Sequence, residues 1–156
     1  MRATTLVAQG GPVALASPPR PPAADPWGKG PLAVLRAYLA GRHEGVLIAP
    51  DATLDAPGVP GQLRGRAAII GFWEAFTGAI GDRELTPEVA FEAADRAVVV
   101  LRVRGLHRGR LLGHAPTGRR LDLSVVVVGR VDDGLIRHLR ICFDRLALLE
   151  QIGGDD

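Results

Sequence analysis

Apolar and polar positions in the second half of the chain alternate with the two-residue period of a β-strand. From Leu121 to Val131 the sequence begins Leu-Asp-Leu-Ser and continues with four valines, Val125 to Val128. The alternation predicts a strand with one buried face, and the valine run predicts cover on both faces. Because Asp132-Asp133-Gly134 is typical of a tight turn, we expect Leu135 to Phe143 to return as the antiparallel partner.

A second pair of strands is predicted before this hairpin. Leu85 to Ala93 and Ala97 to Val103 are rich in branched residues and flank a short turn at Ala94-Asp95-Arg96. The segment from Gly105 to Gly118 is rich in glycine and is predicted to be a long excursion between the two hairpins. Together the four strands should form an antiparallel meander.

A helix is predicted to begin at Pro31, a residue type favoured in the first turn. Leu32, Leu35 and Leu39 follow at helical spacing, and Gly41 should end the helix. After it, Gly45 to Ala49 is a short apolar segment that we expect Pro50 to close. Asp51 to Asp55 is a candidate for a short strand.

A second helix is predicted from Arg66 to about Thr77. Ile69, Trp73, Phe76 and Ile80 share one stripe of it. An aromatic stripe of this kind is typical of a core, and in a hollow fold the same side chains can also bind a ligand. Two helices followed by a meander predict an α+β fold with helices against one face of a curved sheet.

The first 28 residues differ from the rest in composition. They contain Pro12, Pro18, Pro19, Pro21, Pro22 and Pro26 among alanine, glycine and serine. We therefore expect residues 1–28 to form a flexible or extended leader, and residues 29–156 to form a single domain.

Composition excludes several classes of function. The formal net charge is only +2, and the arginine-rich stretch from Arg102 to Arg110 has no aromatic residue, so nucleic-acid binding is not expected. Cys142 is the only cysteine, which excludes an internal disulfide and a cysteine-based zinc site. His107, His114 and His138 lack the spacing of metal ligands, so neither a metal nor another cofactor is expected.

Localisation is predicted from the same pattern. No apolar run is long enough to span a membrane, and the mildly apolar N-terminus is interrupted from Gln9 to Pro12. We therefore expect a cytoplasmic protein that contacts no membrane.

Several motifs resemble those of a known family. PTGRRL, a valine-rich strand ending Gly129-Arg130-Val131, then DDGLI and FDRLALLEQIG resemble the closing hairpin of the SnoaL-like polyketide cyclases. These belong to the nuclear transport factor 2-like superfamily, as does limonene-1,2-epoxide hydrolase. APDATLDAPG with LRGRAAIIGFW is similar to the family's first strand, loop and helix. Residues 105–109 resemble its Gly-Thr-His-x-Gly hairpin, with Leu106 in place of threonine. The resemblance spans residues 31–153 and implies a cone-shaped fold with an apolar pocket.

The resemblance also indicates where a catalytic acid should be sought. The family's last strand carries an aspartate three residues before the aspartate of a Phe-Asp pair. Here the pair is Phe143-Asp144, so Ile141 occupies the position of the acid. Asp144 lies at a strand-to-helix junction, where we expect it to cap the helix from Arg145 to Gln151.

Three other residues remain as candidates for catalysis. Asp55 matches the position of a polar, water-orienting residue of the hydrolase, and in an apolar pocket its pKa would be raised; alternatively, it accepts hydrogen bonds in its own turn. Arg102 would steady a developing negative charge if it points inward, or lie on a solvated face. Asp122 is a reserve candidate, because alternation points it outward with Ser124.

The pocket itself is predicted to be lined by apolar side chains of the helices and of the inner sheet face. These residues are Tyr38, Trp73, Phe76, Leu123, Val125, Leu139, Ile141 and Phe143.

Two functions fit these features best. The first is a small cyclase or isomerase of secondary metabolism that folds and closes an apolar, polyketide-like substrate without a cofactor. The second is a non-catalytic binding or carrier protein, which Ile141 favours. Hydrolysis of an epoxide is a third hypothesis, and the lack of acids on the third and last strands counts against it. The outward valines Val126 and Val128 need cover, so we also expect a homodimer through the sheet.

Overall fold

The computed structural model describes residues 7–8, 11–12, 30–41 and 47–153. Most of the predicted leader therefore lies outside the described residues. Within it, strands β1 (Val7–Ala8) and β2 (Gly11–Pro12) pair antiparallel, a short ladder that the proline content of this stretch did not predict.

The main sheet has six strands in the order β4-β3-β8-β7-β6-β5. Their neighbours run antiparallel except β3 and β8, which are parallel. The curved sheet and three helices confirm the predicted α+β fold. The strands are β3 (Ile48–Asp55), β4 (Leu63–Arg64), β5 (Ile80–Ala93), β6 (Arg96–His107), β7 (Arg120–Asp132) and β8 (Leu135–Phe143); the helices are α1 (Pro31–Leu39), α2 (Arg66–Gly78) and α3 (Arg145–Ile152).

The predicted meander is present as strands β5 to β8, with two of them longer than expected. Strand β5 already begins at Ile80, which the helical stripe had included, and β6 continues through Gly105 to His107. The backbone of Gly105 approaches β5 so closely that an added Cβ would lie 2.7 Å from the carbonyl oxygen of Gly81. The glycine therefore belongs to the sheet and not to a loop.

Pro50 does not close its segment as predicted, since β3 runs through it. The pairing of β3 with β8 shifts register between Ile48 and Thr53. A proline is tolerated in a strand at such an irregularity, because no ladder hydrogen bond requires its missing N–H.

The sheet has an inner face, which packs against the helices, and an outer face. On β7 the inner residues from Leu121 to Val127 are buried while their neighbours are exposed or half-buried. Because Gly129 has no side chain, Leu35 of α1 packs closely against it. A Cβ added to Gly129 would lie 3.2 Å from Cδ1 of Leu35. The core therefore lies between the inner face and the helices.

The ends of α1 and α3 are fixed by specific hydrogen bonds. The first turn of α1 has no cap of its own, and the carboxylate of Glu92 on β5 accepts from the backbone N–H of Leu32 at 2.8 Å. Asp144 caps α3 by accepting from the N–H of Ala147 at 3.0 Å, which confirms that prediction. The amide of Gln151 then pairs with the backbone N–H and carbonyl of Asp122, at 2.7 and 2.9 Å.

Two glycine-to-alanine changes should have opposite effects on stability. In Gly105→Ala the new Cβ meets the backbone of β5, so we expect the free energy of unfolding to fall by about 1–3 kcal/mol. In Gly71→Ala, at an open position of α2, we expect a gain of about 0.5–1 kcal/mol from helix propensity. Chemical denaturation measures both. A Gly105→Ala protein as stable as the unmodified one would contradict the close approach of β5 and β6.

Candidate functional site

Four aromatic side chains that were predicted to line the pocket form a continuous cluster. The ring centroids are 5.6 Å apart for Tyr38 and Trp73, 6.2 Å for Trp73 and Phe76, and 5.9 Å for Phe76 and Phe143. Tyr38 is fully buried, and burial raises the pKa of its hydroxyl well above the ordinary value. The cluster joins α1 and α2 to β8 and acts as core.

The predicted aliphatic wall is also on the inner face. Leu123, Val125, Leu139 and Ile141 are each at most 3% exposed. The position at which the resemblance implied an acid therefore carries a buried isoleucine among other apolar side chains, and this wall supplies no proton donor.

The described residues border a cleft, open to solvent, elsewhere on the inner side. It has a volume of about 530 Å³ and lies between the C-terminal half of α1 and the neighbouring part of β5 and β6. None of the eight predicted pocket residues lines it. The lining consists of Arg36, Leu39, Ala40, Arg83, Leu85, Pro87, Val99 and Leu101.

The length of α1 explains why the cleft is at this place. Its nine residues span about 13 Å, whereas β5 and β6 have 14 and 12 residues and extend roughly 40 Å or more. Glu92 holds the N-terminal end of the helix on β5. The helix then ends over the middle of the strands, and the inner surface beside Leu39 that no other described residue covers forms the cleft. Alternation predicts an inner face, but not which part of it a helix leaves open.

Asp55 does not point into the interior, as the first of the two alternatives for it required. Leu54 beside it is fully buried on the inner face, so the side chains of Thr53 and Asp55 lie on the outer face. There an oxygen of Asp55 is 3.2 Å from Nε2 of His138 and 3.5 Å from a guanidinium nitrogen of Arg140. Nδ1 of His138 is 2.7 Å from Oγ1 of Thr53. The cluster fastens β3 to β8, its parallel neighbour.

Arg102 and Asp122 also lie on the outer face, as alternation had predicted for Asp122. Asp122 on β7 lies opposite Arg104 on β6, and Arg102 lies opposite Ser124. The guanidinium of Arg102 reaches diagonally to the carboxylate of Asp122 and makes two hydrogen bonds to it. A third comes from Arg104 at 3.3 Å. The hydrogen bond from Arg102 is the main cause that lowers the pKa of Asp122. Neither side chain faces the cleft.

His107 is a buried polar residue that the sequence analysis did not single out as a site. It is fully buried at the end of β6. Its Nδ1 accepts from the backbone N–H of Thr117 at 3.2 Å and lies 3.0 Å from the hydroxyl of that residue. Nε2 is buried without a hydrogen-bond partner among the described residues. The ring therefore anchors the loop after β6. Its burial could have been predicted from the sequence, because His107 continues the series of odd-numbered positions, including Val103 and Gly105, that face inward on this strand.

Two further features bear on the kind of site. Among the residues whose structure is described, no three His, Cys, Asp or Glu side chains lie together as a metal site would require. In the same part of the chain, every helix is too short or too polar to cross a membrane.

Comparisons with known proteins agree with this architecture. A family profile described as SnoaL-like polyketide cyclase matches residues 45–152. None of the curated proteins with which the chain was compared matches it.

Several solved structures of bacterial proteins share this fold. A SnoaL-like polyketide cyclase, provisionally so named, from Jannaschia sp. CCS1 superposes with a TM-score of 0.69 at 20% identity, over 79% of this chain and 93% of that one. IdmH from Streptomyces antibioticus, provisionally named a polyketide cyclase, gives 0.65 at 26% identity, over 79% and 98%. A protein with a ketosteroid isomerase-like fold from Catenulispora acidiphila gives 0.62 at 20% identity, over 77% and 92%.

Burial of His107 should make stability depend on pH. Burial lowers the pKa of its imidazole, so below about pH 6.5 the unfolded chain binds more protons than the folded chain. The free energy of unfolding should therefore fall as the pH is lowered from 7.5 to 5. His107→Asn keeps an acceptor for Thr117. In this variant we expect denaturation experiments to show a smaller fall in the free energy of unfolding over the same pH range. Parallel curves for the two proteins would contradict this.

Proposed function

The chain belongs to the SnoaL-like polyketide cyclase family, and from that premise we propose that it is a small cyclase or isomerase of secondary metabolism. It folds and closes an apolar, polyketide-like substrate in the cleft between α1 and strands β5 and β6. The observation that supports this most directly is the cleft itself. Its volume lies in the range of small-molecule sites, and its floor of Leu39, Leu85, Val99 and Leu101 is apolar.

The proposed reaction relies on positioning more than on proton transfer by side chains. Among the described residues, no carboxylate or imidazole lines the cleft, and Ile141 is buried elsewhere. A flexible chain that is held with its nucleophilic carbon near its carbonyl carbon has already lost the entropy that opposes ring closure. Proton exchange with water completes a closure of this kind.

A carrier protein with the same cleft is the second candidate. The buried Ile141 favours it, because this is the position at which the family resemblance implies an acid. The two functions differ in one measurable respect: a carrier binds the substrate and returns it unchanged, whereas a cyclase returns a ring.

Filling the cleft should lower the proposed activity. Leu85 lines the cleft from β5 and is only half-buried, so we expect Leu85→Trp to fold and to lower kcat/KM by about tenfold or more by excluding substrate. Thr86→Trp, on the exposed opposite face of the same strand, is the matched control and should retain activity. The assay follows ring formation in a panel of aryl β-diketone esters by chromatography.

The outcome separates the two candidates. Ring formation that is lost in Leu85→Trp and kept in Thr86→Trp supports the cyclase. Binding of the esters without any ring product supports the carrier, and equal turnover in both variants excludes the cleft as the site.

We also propose that two copies of the chain associate through the outer face. Val98 lies opposite Val128, and Val100 lies opposite Val126. Val89 and Phe91, which extend this apolar patch onto β5, are each 50% exposed. An outer face of an antiparallel sheet is ordinarily polar where it meets water, and a self-complementary second copy is the simplest cover.

Charge in the centre of this patch should prevent association. We expect the unmodified protein to elute as a dimer at micromolar concentration, and Val126→Arg to elute as a folded monomer, because two guanidinium groups would face each other across the axis. Light scattering coupled to size exclusion measures the mass. Asp132→Lys, at an exposed position near the hairpin turn, is the control. A monomer in the unmodified protein would refute the proposal.

A further inference from the structure

Two arginines border the apolar floor of the cleft from opposite elements. Arg36 lies in the last turn of α1, and Arg83 lies on β5. Both line the same cavity, and Arg83 is held in place by a hydrogen bond from one of its guanidinium nitrogens to the carbonyl of Thr77, at 3.1 Å. The cleft therefore has two positive charges beside an apolar surface.

Neither charge is neutralised by the part of the chain that the structure describes. No described carboxylate lies within 4 Å of either guanidinium, and the acidic sequence neighbours of Arg83, Asp82 and Glu84, do not line the cleft. On the outer face, by contrast, Arg102 has its carboxylate in Asp122. The described lining of the cleft thus carries two positive charges and no negative charge.

Guanidinium groups beside an apolar surface favour a ligand that carries a negative charge. Each presents a planar fork of donors that matches the two oxygens of a carboxylate. An ion pair in open water contributes little, but a ligand whose apolar body excludes water from the floor strengthens the attraction at the same time.

We propose that the ligand of this cleft is an amphipathic acid. Its carboxylate lies between Arg36 and Arg83, and its apolar body covers Leu39, Leu85 and Leu101. The reaction that follows binding rests on the proposed function, whereas the recognition of an acid does not. This selection also fixes which end of the substrate enters, since only one end carries the charge.

Two fluorescent probes with one skeleton test the charge separately from the apolar surface. These are 1-anilinonaphthalene-8-sulfonate, which is an anion, and N-phenyl-1-naphthylamine, which lacks the sulfonate. In the variant Arg36→Gln/Arg83→Gln we expect the Kd of the anionic probe to rise about tenfold or more, while the Kd of the neutral probe stays within about twofold. Added salt should weaken only the anionic probe.

Two controls place the effect in the cleft. Arg130→Gln removes an exposed outer-face charge and should leave the Kd of both probes unchanged. Leu85→Trp should weaken the binding of both probes, because it fills the space that their rings share.

The outcomes distinguish this inference from the proposed function. If Leu85→Trp leaves the binding of both probes unchanged, or if the neutral probe does not bind at all, the cleft is not an apolar site and the proposed function fails. If both probes bind in the cleft with equal affinity and the double variant changes neither, the cleft stands and the recognition of an acid is overturned.

Discussion

The rest of this structure depends on one constraint: helices that are shorter than the long strands must bury one face of a six-stranded sheet. The inner face is predominantly apolar, so it must be covered. Helix α1 is anchored at its N-terminus by the carboxylate of Glu92 and has only nine residues. The packed aromatic core and the cleft are therefore two consequences of the same arrangement. Among the described residues, the core lies where helices reach the sheet, and the cleft lies beside the end of α1.

The alternation that fills the core also determines what lies outside it. Because Leu54 must be buried, Asp55 is directed to the outer face and meets His138 and Arg140. Because Leu101 and Leu123 must be buried, Arg102 and Asp122 meet on the outer face. Asp55 and Asp122 thus stabilise the outer side of the sheet, and the charged groups that line the cleft are Arg36 and Arg83.

Local pattern was sufficient for much of the fold. Two-residue alternation and the Asp-Asp-Gly turn predicted β7 and β8. Leucine spacing with Pro31 and Gly41 predicted α1, which begins at Pro31 and ends at Leu39. Two features that local pattern did not determine depend on long-range pairing. The passage of β3 through Pro50 and the outward turn of Asp55 both follow from a parallel pairing with β8, more than 80 residues away, as the spacing of 85 between Thr53 and His138 shows.

The cleft could not be located from sequence for a related reason. Leu123 and Leu101 belong to the same inner layer and have the same chemistry, but only Leu101 borders open space. The difference is made by where a helix stops, which is a property of the assembled layers and not of either strand. The family resemblance indicated the acid position at Ile141, inside the packed region, whereas the open space lies where Arg36 and Arg83 supply positive charge. Recognition in this chain is therefore expected to depend on the negative charge and apolar area of the ligand, and its chemistry on the shape into which the cleft holds it.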